Sequence, residues 1–395
     1  MLIFVSCLVI FVYGMLSSLL GTIIPGLAGK LDLSNTQLGY LALAQGLGLA
    51  GMSVIAGALM DRRGKKIGVV GGLTVTLLGL LLLTYAPSLA ATVAAMLLLG
   101  CGGSLVIVGA NAIASDVSDA KRAVTLNFLN VFSGLGGLAT PLVAGNLLSG
   151  DPHRIAIFGA EATLFVLCVA VVTPMNRPEV RARNQAEDAE NIFASASLYP
   201  LCAVTFLYTA CEFGIWNWLP KYLIAMGMAE KDALNILSLG FACGLLFGRI
   251  VATTILWRLS ALAVTIFCSV GMMVATATIL HPMQLWTTAA AVFLTGFVMA
   301  PVFPSTIAIV GKLFKQRSAT AIGFAITCGF SGLMLSSPVI GWISGADPKG
   351  IGRGLMLLPV MAFLMVVILA SSSRLCRMEE ERALGVAEEV VQGSI

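Results

Sequence analysis

Gly57-Ala58-Leu59-Met60-Asp61-Arg62-Arg63-Gly64-Lys65-Lys66 sets five charges within six residues into an otherwise apolar reach of the chain. Uncharged, mostly apolar runs flank it on both sides, each close to the ~20 residues that a helix needs to cross a bilayer. A short charged hinge between two such runs marks a place where a chain leaves the membrane and re-enters it. How often this happens decides the fold.

By the same rule, spans fall near 3–28, 36–60, 67–86, 89–115, 123–148, 154–174, 198–225, 233–256, 260–280, 285–311, 318–345 and 351–372. Composition agrees: 58% of the 395 residues are hydrophobic and only 11% charged. A soluble domain averages about 25% charged residues, so this chain cannot clothe a water-soluble surface. The expected class is an all-α membrane protein with the lipid bilayer as its solvent. The first run has no basic stretch ahead of it and stays apolar to about Leu27. That exceeds the apolar core of a signal peptide, about 7–15 residues, and reads as a retained helix.

The net charge of +4 is spread between apolar runs rather than gathered in one stripe, so no nucleic-acid partner is expected. Nine cysteines form no C-x-x-C pair, and the two histidines, His153 and His281, lie near span ends. No metal site, cofactor or enzymatic chemistry is expected from them.

With the N-terminus inside, 17 of the 23 Lys and Arg residues fall on the inner face and 6 on the outer. The excess of inner positive charge orients the chain with both termini cytoplasmic, in a plasma membrane (a bacterial inner membrane). A polar connection at 175–197 separates a six-span unit at 1–174 from another at 198–372, and a charged tail follows at 373–395. Arg122, Thr125, Gly134, Gly137 and Leu138 recur 195 residues later as Arg317, Thr320, Gly329, Gly332 and Leu333. Gly57 likewise has a counterpart in Gly248. Two parallel repeats around a central cavity are the architecture of a rocking transporter.

The opening decapeptide resembles the G-x-L-x-D-R-x-G-[RK]-[RK] signature of the major facilitator superfamily at every defined position. The resemblance implies twelve transmembrane helices in two pseudo-symmetric six-helix bundles. It also implies a gate formed by Gly57, Asp61, Arg62, Gly64 and Lys65. In that gate the acid at Asp61 meets the N-terminal end of the eleventh span, and the basic neighbours join a charge network that holds the cytoplasmic side closed. A carboxylate near a helix N-terminus gains about 0.3–1 kcal/mol, and Gly57 would permit close helix contact. The second half keeps only Gly248-Arg249, with Ala252 near where an acid would stand, so the gate is expected to be asymmetric.

Of the nineteen acidic residues, only Glu161 and Glu212 lie inside long apolar segments. A carboxylate at bilayer depth is costly unless it serves a cavity or an ion path. At 100° per residue, Tyr208, Glu212 and Trp216 form one face. A carboxylate accepts hydrogen bonds from hydroxyls while an indole covers an apolar ring face, the pairing that a sugar site needs. Trp218 is a further substrate-binding candidate or an interfacial residue, Tyr222 an interfacial one, and Pro220 a break near the outer side. In the first half the candidates are Tyr13, which shares a face with Ser17, then Gln45, Asn111, Asn127 and Asn130. Amides can line a cavity or join helices, and both readings stay open. Glu161, seven residues after Arg154, is the second proton-coupling candidate beside Glu212.

Three local stretches are similar to the fucose–galactose–proton symporter family. They are Glu212 with Trp218, Leu219, Tyr222 and Leu223; Gly296 with Pro301-Val302-Phe303-Pro304-Ser305-Thr306; and Asn127-Phe128-Leu129-Asn130-Val131-Phe132-Ser133-Gly134-Leu135-Gly136. In that family acids in spans 1 and 4 serve proton coupling and substrate binding. Here neither span carries an acid at depth, and Asn111 stands in span 4, so that proton mechanism does not carry over.

The expectation is a secondary active transporter for a small polar solute, foremost a sugar. It works by alternating access coupled to H⁺, with Na⁺ as the other candidate ion. An efflux transporter for amphipathic compounds is the alternative, for which 17 Met residues are suited. A non-transporting membrane sensor is the alternative of a different class.

Overall fold

The computed structural model describes residues 2–115, 122–174, 195–255, 260–281, 284–314, 318–345, 347 and 350–372. The first bundle comprises α1 (Leu2–Lys30), α2 (Asn35–Arg63), α3 (Lys65–Thr84), α4 (Leu89–Ser115), α5 (Arg122–Asn146) and α6 (Pro152–Val172). The second begins with α7 (Leu198–Ala225) and α8, which joins Glu230–Asn235, a π-helical stretch Ile236–Ala242, and Cys243–Ile255. It continues with α9 (Ala261–Ile279), α10 (Leu285–Leu313, interrupted at Ala300–Pro301), α11 (Ser318–Ser344) and α12 (Ile351–Ser372). Eleven of these are long and apolar enough to cross a membrane. The twelfth, α2, has 29 residues and so reaches about 43 Å at 1.5 Å per residue.

All twelve expected spans are present as helices. Most of the 175–197 connection and the tail after Ser372 lie outside the described residues. Pro220 does not end α7, which runs through it to Ala225. At the helix starts, Ser34 and Gln37 form a reciprocal capping box, and the Asp151 side chain accepts from His153 N–H. Between α2 and α3 the chain turns at Gly64, with φ +96°. A side chain there would be strained, which gives the second glycine of the charged decapeptide a local reason.

Glycines set the packing within each bundle, and they do so twice. Gly48 of α2 lies against the Leu97 carbonyl of α4, while Gly100 of α4 lies against the Gln45 carbonyl of α2. In the second bundle Gly244 meets the Phe293 carbonyl and Gly296 meets the Phe241 carbonyl. Each of these positions is displaced by 196 residues from its counterpart. Neither contact leaves room for a Cβ, so the small residues let backbones touch. A similar relation joins another pair of helices in each bundle: Gly136 of α5 packs on the Phe11 carbonyl of α1, and Gly332 of α11 on that of Phe206 in α7.

The two bundles meet unevenly along their length. At the end remote from the charged decapeptide, the Lys221 ammonium donates to Asn35 Oδ1 (2.7 Å), and Asn35 Nδ2 donates to the carbonyls of Gly345 and Asp347 (3.0 and 3.1 Å). Asn146 donates to Asn235 Oδ1 (2.6 Å), and the Ser238 hydroxyl to the Leu138 carbonyl (2.6 Å). Gly21 of α1 is pressed onto the Trp216 carbonyl of α7 with no space for a side chain. Toward the decapeptide the bundles part. A Cβ added at Gly51 or Gly57 of α2, or at Gly323 of α11, would meet nothing within 4 Å. Leu47 and Ile55 of α2 are 50% and 57% exposed there. Among the described residues the bundles are joined at the far end and stand apart at the decapeptide end.

Candidate functional site

The seam between α1 and α7 carries the polar centre. On α7, Tyr208, Glu212 and Trp216 follow one another at helical spacing, as the sequence predicts. Tyr208 is 2% exposed, and its ring lies 6.0 Å from that of Phe303 at 37°. Trp216 meets Phe241 edge-on, with ring centroids 5.1 Å apart, and reaches Gly137 of α5 across the seam. Between the two aromatics sits Glu212, half-buried, with the Tyr208 and Trp216 side chains as its polar neighbours on the same helix face. Tyr13 of α1 and Arg249 of α8 lie within the electrostatic reach of the same carboxylate. The seam thus gathers a carboxylate, a guanidinium, two phenols and an indole from both bundles.

A cavity of about 30 Å³ opens beside them, lined by Tyr13, Ser17, Gln45, Phe213, Asn217 and Leu333 among others. Its volume holds one or two waters, for which Tyr13, Ser17, Gln45 and Asn217 are polar partners in a largely apolar lining. Gln45 Nε2 donates to the Leu16 carbonyl (3.3 Å) and Asn217 Nδ2 to Ser337 Oγ (2.9 Å), so both amides are held in place.

The remaining candidates divide. Asn130 is exposed and lies one turn before Gly134, where an added Cβ would touch the Leu246 side chain of α8; this places Asn130 on the cleft face of α5. Asn111 is half-buried on α4 and engaged with neighbours. The side chains of Asn127 and Asp61 lie outside the described residues. Trp218 stands apart from Glu212: it is fully buried, with its ring against Gly341 of α11. Tyr222 is 3% exposed and donates to the Leu280 carbonyl (2.9 Å), so it joins α7 to the end of α9. Six residues of α-helix turn Trp218 about 240° from Glu212, which carries it off the seam face. Glu161 is exposed on α6 among Ile157, Leu164 and Phe165, a face turned away from the seam.

Sequence reasoning passed over Asn217 and Arg249 as site residues and noted Ser17 only for sharing a face with Tyr13. A usable signal existed. Applying the 195-residue repeat to Tyr208 and Glu212 leads to Tyr13 and Ser17.

The family model described as Major Facilitator Superfamily matches residues 6–337. The chain belongs to that superfamily. It is a transporter rather than an enzyme. Protein TsgA of Shigella flexneri is 23% identical over 268 residues, a match spanning 66% of this chain and 67% of that protein. The structure of a mutant form of the nucleoside transporter NupG superposes with a TM-score of 0.77 at 17% identity, covering 94% of this chain and 98% of that one. FucP, a superfamily transporter in the outward conformation, gives a TM-score of 0.63 at 19% identity over 95% and 98%. At these identities the likeness shows the fold.

Within this superfamily member the charged decapeptide does identifiable structural work. The Lys65 ammonium donates to the Ala112 carbonyl at the end of α4 (2.8 Å). Lys66 donates to the carbonyls of Val171 and Thr173 at the end of α6 (2.7 and 3.0 Å). Both cations therefore sit at helix C-termini, the negative end of the peptide dipoles. Arg62 and Arg63 are exposed, and Gly57 touches no partner helix at the open end.

Proposed function

We propose that this superfamily member is a secondary active transporter that carries a small polyhydroxylated solute by alternating access, with Glu212 as the proton-coupling group. The observation that carries the reading is the placement of Glu212 at the seam, between Tyr208 and Trp216 and facing Tyr13 of the other bundle. A site shared by two bundles changes its access when they rock, and a carboxylate in it can exchange a proton with whichever side is open. Phenols, amides and an aromatic face suit a hydroxyl-rich ring, and the nucleoside transporter that shares this fold is consistent with such a substrate.

The excess of Lys and Arg at the decapeptide end supports a cytoplasmic position for it. The open state is then inward-facing. In the opposite state Gly57 and Asp61 would close against the start of α11, and the contacts of Asn35, Lys221, Asn146 and Ser238 would release. Glu161, on the outward face of α6, is proposed at most as an accessory acid.

Uptake of a panel of labelled hexoses, pentoses and nucleosides into proteoliposomes, with and without an imposed proton gradient, tests substrate and coupling together. Accumulation of at least one hydroxyl-rich solute above its external level only under the gradient supports the reading. Gradient-independent equilibration of every solute would remove the coupling claim.

A further inference from the structure

Arg249 has no role in the reading above, yet its position calls for one. It lies in the last third of α8, one turn beyond Leu246, whose side chain reaches Gly134 of α5 across the seam. That stripe of α8 therefore faces the other bundle, and Arg249 opens into the cleft where the bundles part. Asn130 of α5 faces the same space from the opposite wall, because α5 and α8 run antiparallel and both residues lie one turn from the Gly134–Leu246 contact toward the open end.

Among the described residues Arg249 makes no hydrogen bond and no ion pair; its electrostatic partners are Glu212 and Tyr208. A guanidinium cannot shed its charge inside a protein, and it presents five N–H donors in a planar fork that fits a carboxylate or phosphate. Glu212 has Tyr208 and Trp216 as polar neighbours and offers Arg249 its field without occupying the fork. In the open cleft water solvates the fork, and an anionic group on a solute entering the cleft can take the place of that water.

We infer that Arg249 receives an anionic group on the transported solute, so that the substrate class is a polyhydroxylated acid rather than a neutral sugar. The inference rests on the reading of the cleft as a solute site and narrows it. In the loaded state the anion takes the guanidinium, and Asn130, Tyr13 and Gln45 remain for the hydroxyls. Glu212 then loses its counter-charge, which favours its protonation when solute binds. Solute and proton are thereby coupled through one cation.

The test compares binding of glucose, glucuronate and glucose 6-phosphate to the purified protein by intrinsic tryptophan fluorescence, with Trp216 beside the site, and repeats it for Arg249→Gln and Arg249→Lys. Expected is binding of at least one anion roughly ten- to hundredfold tighter than glucose, the range of a charge-assisted hydrogen-bond pair. Expected also is that Arg249→Gln brings the ratio of the two affinities to about one, with Arg249→Lys between. Which anion is preferred separates carboxylate from phosphate recognition. Equal binding of glucose and both anions to the parent protein overturns the inference, as does an anion preference that survives in Arg249→Gln. If glucose binds and accumulates while the anions do neither, the sugar reading stands and this one falls. If none of the three binds or enters proteoliposomes, both fall.

Discussion

Tyr13 and Tyr208 occupy the same position in the two bundles, 195 residues apart, and both flank the carboxylate of Glu212. The residue one turn beyond each differs: Ser17 in α1, Glu212 in α7. The repeat thus supplies a matched pair of phenols, and a single departure from it places the charge. A hydroxyl in one wall and a carboxylate in the other make the centre asymmetric where its scaffold is symmetric.

Glu212→Gln keeps the size and hydrogen-bonding capacity of the side chain and removes its proton exchange. Gradient-driven accumulation in proteoliposomes should fall to background while exchange of labelled for unlabelled solute persists. Accumulation at the parental level would remove Glu212 from the coupling step.

Tyr208→Phe deletes a hydroxyl next to Glu212 on the same helix face, whereas Tyr13→Phe deletes one that acts on Glu212 from the other bundle through the field. The loss of accumulation should therefore be larger for Tyr208→Phe. Initial uptake rates across a range of internal and external pH would show it. Equal effects of the two substitutions would mean that Glu212 is not held by Tyr208.

Asn35→Ala removes the acceptor of the Lys221 ammonium and two donations to the loop after α11. Hydrogen bonds to charged groups contribute about 1.5–3 kcal/mol, less at a partly exposed site. The far end should open in a larger fraction of molecules, by a factor on the order of ten. Labelling of a cysteine placed at Ser337 by a membrane-impermeant thiol reagent, in a background without the native cysteines, should speed up accordingly. An unchanged rate would show that this contact does not hold the far end shut.

Gly100→Ala and Gly296→Ala place a methyl group against the backbone of the facing helix. Overpacking of this kind costs about 1–3 kcal/mol, so thermal unfolding in detergent should move to lower temperature for both. Gly51→Ala meets open space and gains helix propensity, up to about 1 kcal/mol. Its unfolding temperature should stay level or rise. The opposite order would contradict the glycine contacts.

Gly57→Ala is neutral for the open state described here, because nothing lies within 4 Å of the added methyl. If closure brings α11 onto α2 at this point, the same substitution should slow transport while leaving thermal stability unchanged. Parental turnover would argue that the decapeptide acts only as a turn at Gly64 and as caps at Lys65 and Lys66.

The sequence alone determined the twelve crossings, the division into two bundles and the superfamily. These rest on local properties: the length of apolar runs, charge at their ends, and a motif whose residues are neighbours in the chain. It also determined the Tyr208–Glu212–Trp216 face, because helical periodicity operates over eight residues. The tertiary structure decided which side chains share the seam. Trp218 was a substrate-binding candidate beside Trp216, yet packing against α11 buries it away from Glu212. Arg249 read as a remnant of a gate motif, yet the antiparallel approach of α8 to α5 turns it into the cleft. The aromatic face already set Glu212 ahead of Glu161 in the sequence, and the packing of α6 and α7 then sets Glu161 on an exposed face and Glu212 at the seam. Which of the two bundle ends closes was likewise beyond the sequence. It depends on contacts between residues hundreds of positions apart, such as Asn35 and Gly345, and a chain that must adopt both states encodes both.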